Sequence, residues 1–473
     1  MKVLKKIAIF LILLSSTAGY ANYDRIWDQL KEKRGRFSRY PLIIEQLVEK
    51  ELYFTSIPFI KEYLFRVEKP DPRLDRIIDE VITKTGIRQF ELLPNSTLKK
   101  SNRPTLRYIL AKRLFRRKKY NDTVLLAGSI KNVAHPVAPF ALLLKASSLS
   151  LLGKGEQAQS VFGECYRASE KAIAKTDDYD RRRQLEMNRD YCLLGQARVD
   201  FQNKEFVRAE STFLDLSKDS PVWPEILFEE AWNSFYQKNY NRTLGKLVTY
   251  NAPLLDFAFN PEVEELKALT YLEMCLYGDA KKIVENFYGK YASDSKKLKK
   301  VLKAFKKNFK SYYLMAKQRN IAEIKGTPLL NRLLKMIIAD PAFTELFNSF
   351  QNARYEFQKL KEVSNTKLRK VLTDVVKNSL ILQRDLIGAY VRKVLYEYYY
   401  QINRTLENLS YVNLEILDRR RNQLYADITG TDRSRGSIEN LKRSQKQYFW
   451  NFEGEFWLDE LGDYVFSLKP ECY

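Results

Sequence analysis

The stretch ARVDFQNKEFVRAESTFLDLSKDSPVWPEILFEEAWNSFYQKNYNRTLGKL, residues 197–247, decides the fold. Within it Ala197, Phe201, Phe206, Ala209 and Phe213 are followed 34 residues later by Ala231, Phe235, Tyr240, Thr243 and Leu247. Small, large, aromatic, small and large side chains thus recur in register. A period of this length is the trace left by a row of like helix pairs, because each pair presents the same face to the next.

Working outward, the same internal spacing of 4, 5, 3 and 4 residues selects Ala111, Phe115, Tyr120, Thr123 and Ala127, then Ala146, Ser150, Gly155, Ala158 and Phe162, and finally Ala268, Leu272, Tyr277, Ala280 and Val284. A weaker copy runs through Val48, Leu52, Ile57, Ile60 and Leu64. Six units result, with about 17 extra residues between the third and the fourth. The pattern resembles the tetratricopeptide repeat, a helix-turn-helix with a small residue in each helix where the pair crosses. The resemblance covers roughly residues 40–290 and implies a superhelical solenoid whose concave surface holds peptides or protein segments.

The first residues, MKVLKKIAIFLILLSSTAGYA, place Lys2, Lys5 and Lys6 before an apolar run from Ile7 to Leu14 and then small residues. This is the layout of a secretory signal, with cleavage expected after Ala21, and the run is too short for a membrane anchor. No cysteine stands near the expected cleavage site, so a lipid anchor is not expected, and the reading is an exported, periplasmic protein. The balance of 81 Lys plus Arg against 58 Asp plus Glu gives +23. For an exported chain that excess points away from nucleic acid and toward anionic envelope surfaces or acidic protein partners.

Behind the repeats, residues 296–325 hold eleven Lys or Arg and a single acid, Glu323. Leu298, Leu302, Phe305, Phe309, Tyr312 and Met315 recur every three or four residues among them, which predicts one basic amphipathic helix. Its Lys299, Lys303, Lys306 and Lys310 are candidate contacts for peptidoglycan or anionic lipid, against the plainer reading of a last solenoid helix with solvated lysines. From Ala342 to about Ala426 there is no Pro and one Gly, Gly388, so very long helices are expected. Leu368, Leu372, Val375, Leu382 and Leu386 approximate a heptad seam that Tyr390, Val394, Tyr398, Ile402, Leu406 and Leu409 continue, a coiled-coil-like stripe that a homodimer through 365–410 would also use.

The stretch 428–437 reads as a loop. Beyond it, QYFWNFEGEFWLDELGDYVFSLKPEC interleaves Trp450, Phe452, Phe456, Trp457, Tyr464 and Phe466 with five carboxylates. Its Trp450, Phe452, Glu453, Gly454, Glu455, Phe456, Trp457, Asp459, Glu460, Leu461 and Gly462 resemble a segment that closes some exported tetratricopeptide-repeat proteins of predatory and gliding bacteria, including components of gliding-motility envelope complexes. That resemblance implies a place in an envelope assembly. The tail either folds back over an exposed core edge or docks a partner through Trp450, Phe452, Phe456 and Trp457.

The expected organisation is therefore all-α: a signal at 1–21, a solenoid at 22–290, a basic connector at 291–340, a long-helix domain at 341–430, and a loop with an acidic aromatic tail at 431–473. Four cysteines, Cys165, Cys192, Cys275 and Cys472, allow three pairings that the sequence does not choose between. Cys165 and Cys192 fall at adjoining helix ends and are candidates for a disulfide across the long insertion, with buried free thiols as the alternative. The sole histidine, His135, precedes Pro136 in an inter-repeat turn, which argues against Ser-His-Asp, Cys-His and multi-histidine metal chemistry unless other residues substitute. No Walker loop, GxGxxG, GxSxG or EF-hand loop is present, and Glu453 with Glu455 lacks any accompanying catalytic element. The function expected is a non-catalytic interaction scaffold without cofactor or metal, its alternative a peptidoglycan- or lipid-surface binder.

Overall fold

The 34-residue period has a counterpart in the backbone. The computed structural model describes residues 23–32, 36–68, 71–100, 103–132, 134–317, 327–421, 450–451 and 454–472; the expected signal and the loop at 428–437 lie outside them. Among the described residues the chain is all-helical, with 19 helices. These are α1 (23–31), α2 (Tyr40–Glu49), α3 (Tyr53–Arg66), α4 (Leu74–Thr85), α5 (Asn95–Lys100), α6 (Pro104–Arg116), α7 (Tyr120–Gly128), α8 (Ala138–Leu151), α9 (Gly155–Ile173) and α10 (Tyr179–Gln202). There follow α11 (Phe206–Leu214), α12 (Trp223–Tyr236), α13 (Tyr240–Val248), α14 (Glu262–Glu273), α15 (Tyr277–Phe305), α16 (Phe309–Lys317), α17 (Pro328–Ala339), α18 (Pro341–Lys359) and α19 (Thr366–Arg421). A two-residue parallel bridge pairs β1 (Trp450–Asn451) with β2 (Tyr464–Val465).

Six turns carry a residue with positive φ two places before the next helix begins: Glu51, Lys118, Gly153, Lys204, Lys238 and Cys275. A side chain in that region costs roughly 1 kcal/mol or more, and helix-ending hydrogen bonds offset it. In five of the six, the following N–H reaches a carbonyl five residues back: Leu52 to Leu47, Lys154 to Leu149, Glu205 to Asp200, Asn239 to Ser234 and Leu276 to Tyr271, at 2.9–3.0 Å. The crossing residues Ala146, Ala197, Ala231 and Ala268, with Ala158, Ala209, Thr243 and Ala280 opposite, are completely buried, as are Ala111 and Thr123.

Two expectations need correction here. In the first pair the turn falls at Glu51, so the repeat positions are Ile44, Val48, Tyr53, Ser56 and Ile60, four residues earlier than the weak copy aligned through Ile57. A shift of four returns almost to the same helix face, so apolar spacing alone does not separate the two registers. The extra residues between the third and fourth units form no long loop; they lengthen α9 to 19 residues and α10 to 24. Cys165 on α9 is bonded to Cys192 on α10, with Cα atoms 5.9 Å apart.

The chain divides into two compact units that cut across sequence order. The first contains Met1–Arg117, Lys307–Leu314 and Asp340–Val391, and the second Lys118–Lys306, Met315–Ala339 and Arg392–Tyr473. In the first unit the carboxylate of Glu356 on α18 caps α3. It accepts the Phe54 and Thr55 N–H groups at 2.8 and 2.7 Å together with the Thr55 hydroxyl. Burial pushes this carboxyl up to about 7, against those hydrogen bonds and Lys359, which lower it.

The buried stripe of α19 is Leu368, Leu372, Val376, Ser379, Gln383, Ile387, Val391 and Leu395, continuing to Ile402, Thr405 and Leu409. It leaves the expected seam after Leu372, and Val375, Leu382, Leu386, Tyr390 and Val394 are only partly buried. The reason is polar: Ser379 donates to the Phe54 carbonyl at 3.3 Å. At Gly388 a Cβ would stand 1.9 Å from the Phe309 carbonyl oxygen, a contact only glycine allows. In the second unit α19 runs antiparallel to α15, with Tyr288 donating to the Leu406 carbonyl at 2.6 Å, Asn403 to Ser295 at 2.9 Å and Arg392 to the Lys306 carbonyl at 2.8 Å.

Candidate docking surfaces

Helix α13 is polar in sequence yet buried almost all round. On one side Lys246 pairs with Glu230 at 2.6 Å and Arg242 pairs with Glu210, all four buried. The side bearing Asn241, Gly245 and Thr249, four residues apart and therefore stacked on one face, is covered by the C-terminal segment. Thr249 accepts from the Gly462 N–H at 3.0 Å. Over Gly245 the Tyr464 carbonyl comes so close that a Cβ would stand 1.7 Å from its oxygen. The Asn241 carbonyl accepts from the Phe466 N–H at 3.1 Å, and its side-chain amide grips Leu468 twice, accepting its N–H at 2.8 Å and donating to its carbonyl at 3.1 Å.

The segment is fastened at both ends. Glu471 donates its N–H to the Met274 carbonyl at 2.9 Å, and Cys472 is bonded to Cys275. Upstream, the Lys218 ammonium donates to the Asp459 carbonyl and to the Asp463 carboxylate, both at 2.6 Å, and the Tyr464 hydroxyl accepts from the Trp457 N–H at 2.9 Å. Leu461, Tyr464 and Phe466 join a core with Trp223, Leu227, Leu244 and Leu247. Phe456 packs edge-on against Tyr464, ring centroids 6.0 Å apart. What the fold leaves outside is Trp457, 58% exposed, and Leu458, 71% exposed. Glu455, Asp459 and Glu460 surround them, and partial desolvation together with Asp459 and Glu455 pushes the Glu460 carboxyl up.

Of the tail's proposed anchors, the structure thus presents Trp457 and folds Phe456 inward; Trp450 pairs through its main chain with Tyr464, and Phe452 and Glu453 lie outside the described residues. Sequence reasoning missed Lys218, Asn241, Gly245 and Thr249. A signal existed: asparagine, glycine and threonine at successive turns make a poor helix face, which survives only where something packs on it.

The basic stretch is not one helix. It breaks after Phe305, where Lys306 takes φ 47° and donates its N–H to the Leu302 carbonyl. Helix α16 resumes at Phe309, and residues 318–326 lie outside the described residues. Lys299, Lys303, Lys306 and Lys310 are all exposed, while Leu298, Leu302, Tyr312 and Met315 are buried as the amphipathic spacing requires. Lys299 lies 5.9 Å from the centre of the Tyr399 ring. Tyr398 stacks on Phe259 at 5.8 Å, whereas Tyr400 is 64% exposed. Among the described residues no group of three His, Cys, Asp or Glu stands where it could hold a metal ion, and no helix is long and apolar enough to cross a membrane. No family model matches the chain, and no curated protein matches it.

Proposed function

We propose that this protein is a non-catalytic scaffold of the cell envelope: an exported, periplasmic chain whose helix pairs form a tetratricopeptide-type solenoid and whose C-terminal segment docks partner proteins. The observation that carries the reading is the exposed pair Trp457 and Leu458, held on a segment tied down by Lys218, α13 and the Cys472–Cys275 bond. Tryptophan in a preorganised setting is a frequent interface anchor, since little conformational entropy is left to lose on binding. The two disulfides favour an oxidising compartment, and the tail's likeness to exported envelope proteins favours a motility or envelope-maintenance complex.

Affinity capture of the full chain from cross-linked envelope fractions tests this. A discrete set of proteins retained at high salt, and lost with Trp457→Ala/Leu458→Ala, is the expected result. Equal recovery with the double variant would sink the reading. A second reading rests on the exposed Lys299, Lys303 and Lys306 of the second unit, none of them ion-paired among the described residues: attachment to peptidoglycan or anionic lipid, which salt should abolish.

A further inference from the structure

The contact between α13 and the chain's own end has the chemistry of peptide recognition. Four of its hydrogen bonds to α13 use the main chain of the segment, at Gly462, Phe466 and twice at Leu468. The two-fold grip of one asparagine amide on a single residue's N–H and carbonyl reads an extended backbone without regard to its side chain. Glycine at position 245 removes the side chain that would otherwise occupy the place of the Tyr464 carbonyl. Selectivity comes from apolar side chains: Tyr464, Val465 and Phe466 are all buried, and Leu468 packs on the same core as Tyr464 and Phe466. A disulfide at the exposed Cys472 holds the segment there.

We propose that the face formed by Asn241 and Gly245 of α13 and by Thr249 just after it is a binding site for an extended peptide with a run of aromatic or aliphatic side chains. In this structure residues 462–468 fill it from within the same chain, and the Cys275–Cys472 bond secures them. The partner is an extended, apolar protein segment, able to enter once the chain's own segment leaves. The Trp457 surface is displayed when the segment is in place, so the capture experiment on the unaltered, oxidised chain judges that surface whatever the outcome here.

The test uses the full chain carrying Cys275→Ser, Cys472→Ser and Phe466→Asp, which unfastens and repels its own segment while leaving α13 intact. The probe is a labelled synthetic peptide of residues 461–471. Saturable binding at one site per chain is expected, weakened about 30-fold by Asn241→Ala through the loss of two hydrogen bonds and abolished when the peptide itself carries Phe466→Asp. The unaltered, oxidised chain should take up none. An opened chain that keeps its helical circular dichroism but binds no peptide overturns the proposal. Should the opened chain fail to fold, hydrogen exchange on the unaltered chain decides. With a dithiol added, the amides of Gly462, Phe466 and Leu468 should exchange together before those of α13; exchange only on global unfolding would make the segment part of the core and end the proposal.

Discussion

Gly245 carries the tail's register, and its replacement is the most direct residue-scale test. A methyl there meets the backbone of Tyr464 and not a side chain that can turn aside, so Gly245→Ala should destabilise the second unit by about 1–3 kcal/mol. Denaturant titration would show it, and an unchanged midpoint would mean that the segment moves freely. Glu356 makes a prediction of opposite kind. Its folded value of about 7 lies above the ordinary 4.5, so the native state holds the proton more tightly than the unfolded chain does. The associated stability is fully present below about pH 4.5 and is lost as pH rises through about 7, on the order of 3 kcal/mol. Melting of the unaltered chain should fall between pH 5 and 8 relative to Glu356→Gln; parallel profiles for the two would refute the assignment. Neither residue announced itself in the sequence. Glu356 is one glutamate among many until the fold sets it against α3, some 300 positions away.

Helices were the most legible part of this chain, because their evidence is local. The alanines at 146, 197, 231 and 268 are small where helices cross and nowhere else need be, and they lie completely buried. The stripe on α19 was misjudged for a reason equally local: apolar spacing pointed to Val375 and Leu382, whereas the buried face runs through Ser379, Gln383 and Gly388, which score as polar or as breakers. Two glycines separate packing from propensity. Gly388→Ala should cost about 1–3 kcal/mol against the Phe309 carbonyl. Gly289→Ala on α15, with nothing within 4 Å of the new methyl, should stabilise by about 0.5–1 kcal/mol. Paired melting curves check both, and equal signs would contradict the packing described. Among the disulfides, the Cys275–Cys472 link closes the longer loop, 197 residues against 27. On the chain-entropy account its loss should cost more, about 5 against about 3.5 kcal/mol, measurable by comparing Cys472→Ser with Cys192→Ser.

At the scale of the molecule, charge and fold make separable predictions. Replacing Lys299, Lys303 and Lys306 by Glu should remove sedimentation with anionic vesicles or peptidoglycan at low salt and leave Trp457-dependent capture at high salt intact; retention of both would dismiss the basic surface. That surface was visible from composition alone, as were the all-helical class and the helix-pair period, because each depends on residues close in sequence and on their hydrophobic spacing. Tertiary structure alone decided the rest. It joined α2–α6 with α18 and the first half of α19 in one unit, broke the basic helix at Lys306, and laid the C-terminal segment over α13, with Tyr464 and Phe466 in one core with Leu244 and Leu247. Those contacts link residues up to some 300 positions apart through main-chain hydrogen bonds, a glycine's missing side chain and buried ion pairs. Such features leave no periodic trace in a sequence, since their partners are specified by position in space and not by spacing along the chain.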